Sequence, residues 1–144
     1  MSGAAPSLQD RRLEIVREHM RSENELRFED TLDTFDHPRY ELIATSEVFD
    51  GAEQVREYYR ASRATFPDQR NENVLLHAAG DAVIAEFDLL GTMTGEHQGM
   101  APTGRGFRCR MCAVFVFGPD SERIVCERVY FDQATIAGQL LAES

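Results

Sequence analysis

The sequence predicts an α+β fold: a cone-shaped, curved antiparallel sheet packed against about three N-terminal helices, with a short C-terminal helix. Three observations predict it. Apolar residues recur at helical spacing early in the chain, at Leu8, Leu13, Ile15, Val16, Met20 and Leu26. Val55, Tyr58, Tyr59, Ser62 and Phe66 repeat that spacing on one face of a second long segment. From Asn71 onward the pattern changes to strand-like runs separated by glycine-containing turns.

The elements follow in order. Residues 1–6 read as a disordered tail and residues 7–144 as one domain, the amount a chain of 144 residues supplies. Ser7, with Asp10 three residues on, is a capping signal for the first helix. His19 and Glu23 lie one turn apart on its inward-leaning side. A short second helix covers 28–35 and stops at Asp36-His37-Pro38, because the residue before proline avoids helical angles. Residues 40–49 mix β-branched, aromatic and polar side chains and predict one or two short strands. Residues 52–66 form an amphipathic helix ended by Pro67. Strands over 73–79 and 82–94 meet at a tight Gly80-Asp81 turn. A glycine-rich loop, 95–106, leads to a long strand over 107–117, and Gly118-Pro119-Asp120-Ser121 turns it into a last strand, 124–131. Residues 133–141 suit a short terminal helix.

Composition excludes several classes. A net charge of −10 and an acidic isoelectric point near 4.8 repel phosphate backbones and anionic lipid, so neither nucleic acid nor membrane is an expected partner. All 15 basic residues are arginine, which rules out lysine Schiff-base chemistry. Three cysteines imply no disulfide framework, and Cys109 and Cys112 fall on opposite faces of a strand, where they cannot form a zinc knuckle. The four histidines show no metal-binding spacing, so no bound metal is expected. The first residues carry neither a basic nor an apolar leader pattern, which predicts a soluble cytoplasmic protein. The run 111–117 is apolar on both faces and calls for cover on both sides. A second copy of the chain across the outer sheet face would supply it, giving a homodimer; the alternative is a mid-sheet strand under a long loop.

Candidate chemistry concentrates in a few places. Alternation on the last strand groups Cys126, Arg128, Tyr130 and Asp132 on one face, with Val125, Glu127, Val129 and Phe131 on the other. A register symmetric about Asp120 sets Arg108 and Arg110 opposite Asp132 and Tyr130; a one-residue slip substitutes Cys109 and Met111. Asp132 is then either a general base in an apolar cavity or the ion-pair partner of Arg108. His19, oriented by Glu23, is a second catalytic candidate, against the alternative of a packed core histidine. His97 falls in the glycine-rich loop at the cavity mouth. Tyr40, Tyr58, Phe87, Met93 and Tyr130 are candidate pocket residues, as well as ordinary core material.

Two segments carry a family resemblance. Gly91-Thr-Met-Thr-Gly-Glu-His-Gln-Gly-Met-Ala-Pro-Thr-Gly104 and Arg123-Ile-Val-Cys-Glu-Arg-Val-Tyr-Phe-Asp-Gln133 resemble segments of the SnoaL-like polyketide cyclases, members of the nuclear transport factor 2-like superfamily. The resemblance extends from about Leu13 to Leu141. It implies a cone whose open end holds a small apolar or aromatic ligand, and a cofactor-free reaction. In that reaction an aspartate, by motif match Asp132, removes a proton next to a carbonyl. Cyclisation (ester cyclisation included), isomerisation and dehydration share this step. Arg128 stands where many relatives carry tryptophan, which makes the pocket more polar. Arg110, Tyr130 or His19 would stabilise the enolate. The alternative is a non-catalytic binding protein with the same pocket and Asp132 locked to Arg108.

Overall fold

The computed structural model describes residues 5–142, so residues 1–4 of the expected tail and residues 143–144 lie outside it; Ala5 and Pro6 are exposed and carry no regular structure. Among the described residues there are four helices and six strands. They are α1 (Leu8–Asn24), α2 (Phe28–Leu32), β1 (Arg39–Leu42), β2 (Glu47–Asp50), α3 (Ala52–Thr65), β3 (Arg70–Ala79), β4 (Ala82–Thr92), β5 (Gly106–Phe117), β6 (Ile124–Tyr130) and α4 (Gln133–Leu140). The strands make one curved, unclosed sheet in the order β2-β1-β6-β5-β4-β3. All pairings are antiparallel except β1 with β6, which is parallel. This is an α+β cone.

Local chemistry explains the elements. Ser7 and Asp10 form a reciprocal capping box that satisfies free N–H groups at the start of α1. Arg12, 4% exposed, then pins the helix to two turns of the sheet. It donates to the carbonyls of Ser121 and Gly118 at 2.8 and 2.9 Å and to Asp81 at 3.0 Å. The second helix ends at Leu32 rather than Phe35, because Phe35 leaves it to bridge Ile124 on β6. Gly51 enters α3 at φ +89°, in the left-handed region that side chains disfavour. β3 starts at Arg70 and carries a bulge between Glu72 and Leu75.

The core lies between the helices and the concave face of the sheet. It holds Val16, Met20, Phe35, Val55, Phe87, Phe115 and Ile124. β5 alternates strictly, with Phe107, Cys109, Met111, Ala113, Phe115 and Phe117 buried and Arg108 and Arg110 exposed between them. Cys112, Val114 and Val116 point outward and are half-buried. A register shift at Val116/Phe117 sets Cys112 opposite Tyr130 and Phe115 opposite Glu127. The concave side of β6 is therefore the one bearing Glu127 and Val129.

Candidate functional site

Four elements bring their polar residues together inside the cone. α1 presents His19 and Glu23, β6 presents Glu127, β1 presents Tyr40, and α3 presents Tyr59 and Arg63. His19 is fully buried, with its ring edge-on to Phe35 and Phe115 at centroid distances of 5.3 and 5.0 Å. Thr34 Oγ1 donates to the carbonyl of Thr31 at 2.6 Å, so it accepts from His19 Nδ1, 2.8 Å away. Nδ1 therefore carries a hydrogen, and Nε2 is the nitrogen turned towards the acids.

Around Nε2 stand Glu127 Oε1 at 2.8 Å, Glu23 Oε1 at 3.2 Å and the Tyr40 hydroxyl at 3.1 Å. One N–H cannot be directed at all three. Glu127 Oε1 is buried and takes no directed hydrogen bond, so its contact with the ring is ionic. Tyr40 continues the chain to the Tyr59 hydroxyl at 2.6 Å. The three acid and imidazole side chains lie within 4.8 Å of one another, a donor set of the kind that ligates divalent cations. Tetrahedral ligands on bonds of about 2.1 Å stand about 3.4 Å apart. The 2.8 Å between Nε2 and Oε1 is an ion-pair distance instead.

Burial and charge set the protonation states. Burial alone would depress the imidazolium of His19, but Glu23 and Glu127 reverse this and push its pKa up to about 10. The two carboxyls are driven apart. Burial raises Glu127, and the attraction of His19 does not bring it back to the ordinary range. Glu23 feels the same burial, yet His19 and Arg63 hold it below its usual value. Burial keeps the phenols of Tyr40, Tyr58 and Tyr59 protonated far above pH 10. Two carboxyls with opposite shifts beside one imidazolium form an acid–base set.

A cavity of about 40 Å³ opens beside this set. Glu23, Tyr40, Tyr58, Phe87, Met111, Arg63 and Glu127 contribute to its wall, and Gln69, Arg70 and Asn71 form part of its rim. The Asn24 side chain straps this rim to α1. Its amide nitrogen donates to the Asn71 carbonyl at 3.0 Å, and its oxygen accepts from the Asn71 N–H at 2.8 Å.

The structure thus gathers Glu23, Tyr40, Tyr58 and Phe87 at the cavity, with His19 directly behind. The other residues singled out from the sequence lie elsewhere. Asp132 is the N-cap of α4, where its carboxylate accepts from the Thr135 N–H at 3.1 Å and the Thr135 hydroxyl at 2.8 Å. Those hydrogen bonds hold its pKa below the usual value. It touches neither the cavity nor Arg108, which pairs with Asp88 at 2.8 Å. Arg110 lies on the outer sheet face near Asp88 and the Asn73 carbonyl. Arg128 reaches Glu41 on that same face, and Tyr130 is 43% exposed. Met93 is buried beneath Thr103, and His97 sits in the loop near Phe66. Glu127 and Arg63 escaped the sequence reading. The signal for Glu127 was a single acid in the apolar stripe Val125, Val129, Phe131. The signal for Arg63 was its place one turn beyond Tyr59 on an apolar helix face.

An open curved sheet, capped by helices around a cavity with buried ionisable groups, defines the nuclear transport factor 2-like cone. Within that class the chain belongs to the SnoaL-like polyketide cyclase family, whose model matches residues 14–140. No curated protein sequence matches it. Among solved structures it is similar to a proposed polyketide cyclase from Xanthomonas campestris pv. campestris, with 16% identity and a TM-score of 0.83 over 93% of this chain and 99% of that one. A proposed SnoaL-like polyketide cyclase from Jannaschia sp. CCS1 is 18% identical, with a TM-score of 0.81 over the whole of both chains. IdmH, a proposed polyketide cyclase from Streptomyces antibioticus, is 22% identical, with a TM-score of 0.75 over 90% of this chain and 97% of that one. At these identities the likeness concerns the fold.

Proposed function

We propose that this chain is a cofactor-free enzyme that removes a proton from carbon next to the carbonyl of a small, largely apolar compound, in cyclase, isomerase or dehydratase chemistry. One observation carries the reading: Glu127 and Glu23 flank the His19 imidazolium at a cavity wall, with their acidities pushed in opposite directions. Glu127 Oε1, without a directed partner, is the base. The proton leaves carbon for this oxygen, and the electron pair moves onto the carbonyl oxygen. Tyr40, a phenol that stays protonated, donates a hydrogen bond to the enolate. His19 does not line the cavity and acts as a positioning residue, holding both acids by charge. The enolate then reprotonates elsewhere, attacks a second carbonyl or expels a leaving group. The family to which the chain belongs supports chemistry of this type.

Proton exchange tests this. Small 1,3-dicarbonyl compounds in deuterated water should exchange their activated C–H faster with the protein than without it, as read by proton NMR. Glu127→Gln should abolish the acceleration, and Asp132→Ala should keep it. The opposite pattern would return the base to the motif-matched Asp132. The mutual pairing of His19 with Glu127 and Glu23 favours a second reading, a binding protein that does not turn its ligand over; binding without exchange would establish it. We further propose that the chain works as a homodimer through the outer sheet face, in the cytoplasm.

A further inference from the structure

Arg63 stands where the cone interior meets an outer groove. It lines the cavity together with Glu23 and Glu127, and it also lines a groove of about 490 Å³ between α2 and α3. Its side chain is 11% exposed. The guanidinium lies over the rings of Phe28 and Tyr59, at 5.1 and 5.9 Å from their centroids, and these two rings stack on each other at 4.5 Å. One of its terminal nitrogens donates to Ser62 Oγ at 2.8 Å. The nearest carboxylate oxygen, on Glu23, is 3.9 Å away, beyond hydrogen-bonding distance. Nε is buried and has no hydrogen-bond partner.

A buried charged donor without an acceptor is unfavourable unless something else supplies one. The other two arginines of the groove are already matched: Arg56 grips Glu29, and Arg60 pairs with Glu57. Arg56 and Arg60 are thus neutralised by their partners, and Arg63 is the arginine of the groove without a carboxylate at hydrogen-bonding distance. Phe28 and Tyr59 give the groove an aromatic floor.

We propose that the ligand of this cone is a carboxylate with an apolar or aromatic body, and that Arg63 binds its carboxylate. The planar fork of the guanidinium, Nε included, matches two carboxylate oxygens. The inference rests on the cone interior as the reaction site and names the class of compound it accepts: a carbonyl compound that also carries an acid. Arg63 holds the acid at the mouth, and the carbonyl end faces Glu127.

Benzoate and benzamide have the same shape and differ in charge. Titrated into the protein and followed by NMR, benzoate should bind about tenfold more tightly than benzamide, as one charge-assisted hydrogen bond allows. Its shift changes should centre on Arg63 and the cavity residues Tyr58 and Phe87, and the preference should shrink at high salt. Arg63→Gln should remove the preference; Asp132→Ala, at a helix cap away from the cavity, should keep it. Equal binding of the two probes by the wild-type protein would overturn the proposal without any variant. So would a preference that survives Arg63→Gln, or shift changes centred elsewhere. Failure of the proton-abstraction reading would show instead as missing deuterium exchange, which this titration does not measure.

Discussion

His19 joins the charges of the cone interior, and its protonation should be visible in stability. Its folded pKa is about 10 against an ordinary 6.5, so folding favours the protonated ring. That contribution is complete below about pH 6.5 and is lost as the pH rises through about 10. Urea-unfolding midpoints should therefore fall across this window, and His19→Gln should flatten the fall. Glu23 has the opposite sign: its lowered carboxyl stabilises above its ordinary 4.5, and the effect fades as the pH drops through the lowered value. His19→Ala would leave Glu23 and Glu127 buried without their shared cation. A loss of about 3–5 kcal/mol is expected by urea titration. Asp132→Ala, which removes a helix cap, should cost about 1 kcal/mol in the same measurement. The pairing of His19 with Glu23 was legible in the sequence, because residues four apart on a helix share a side. Glu127 was not, because alternation divides a strand into two faces without saying which is concave. The motif match drew attention to the face bearing Asp132, and the sheet curves the other way.

At the scale of elements, the helical segments, the β3–β4 pairing across Gly80-Asp81 and the turn between β5 and β6 followed from periodicity and turn residues. The parallel pairing of β1 with β6 did not, since it joins segments more than eighty residues apart that no local pattern links. The register of β6 also depended on a shift at Val116/Phe117 that no side chain announces. The glycine-rich loop shows what its motif is for. Gly95 lies against the end of α3, and its N–H donates to the Thr65 carbonyl at 3.1 Å. A Cβ there would stand 1.9 Å from the Ala64 carbonyl oxygen, which backbone atoms cannot yield cheaply. Gly95→Ala should lower stability by about 1–3 kcal/mol, measured by thermal melting. The same change would push on the helix that holds Arg63, so benzoate binding should weaken with it.

For the whole molecule, the proposed dimer turns on the outer sheet face. It is not uniformly apolar: Cys112, Val114 and Val116 are half-buried in its middle, and Arg108, Arg110, Asp88 and Arg128 surround them with charge. A small apolar centre with a charged rim is the usual pattern of a protein interface. Light scattering should give twice the 16.3 kDa chain mass. Replacing Val114 with Arg should shift the protein to a single chain while leaving the cavity side of β5 untouched. A wild-type mass of one chain at micromolar concentration would remove the dimer.

The link between α1 and β6 has a consequence for how the chain is made. His19 leaves the ribosome more than a hundred residues before Glu127, yet each is the other's nearest opposite charge. Until β6 has emerged, β1 lacks its inner neighbour and α1 carries an ionisable ring towards an apolar interior that has only part of its counter-charge. Nascent chains arrested before Ile124 should therefore be cut readily by protease, and resistance should come in one step once Tyr130 is free. The cone should therefore close only after β6 has been made.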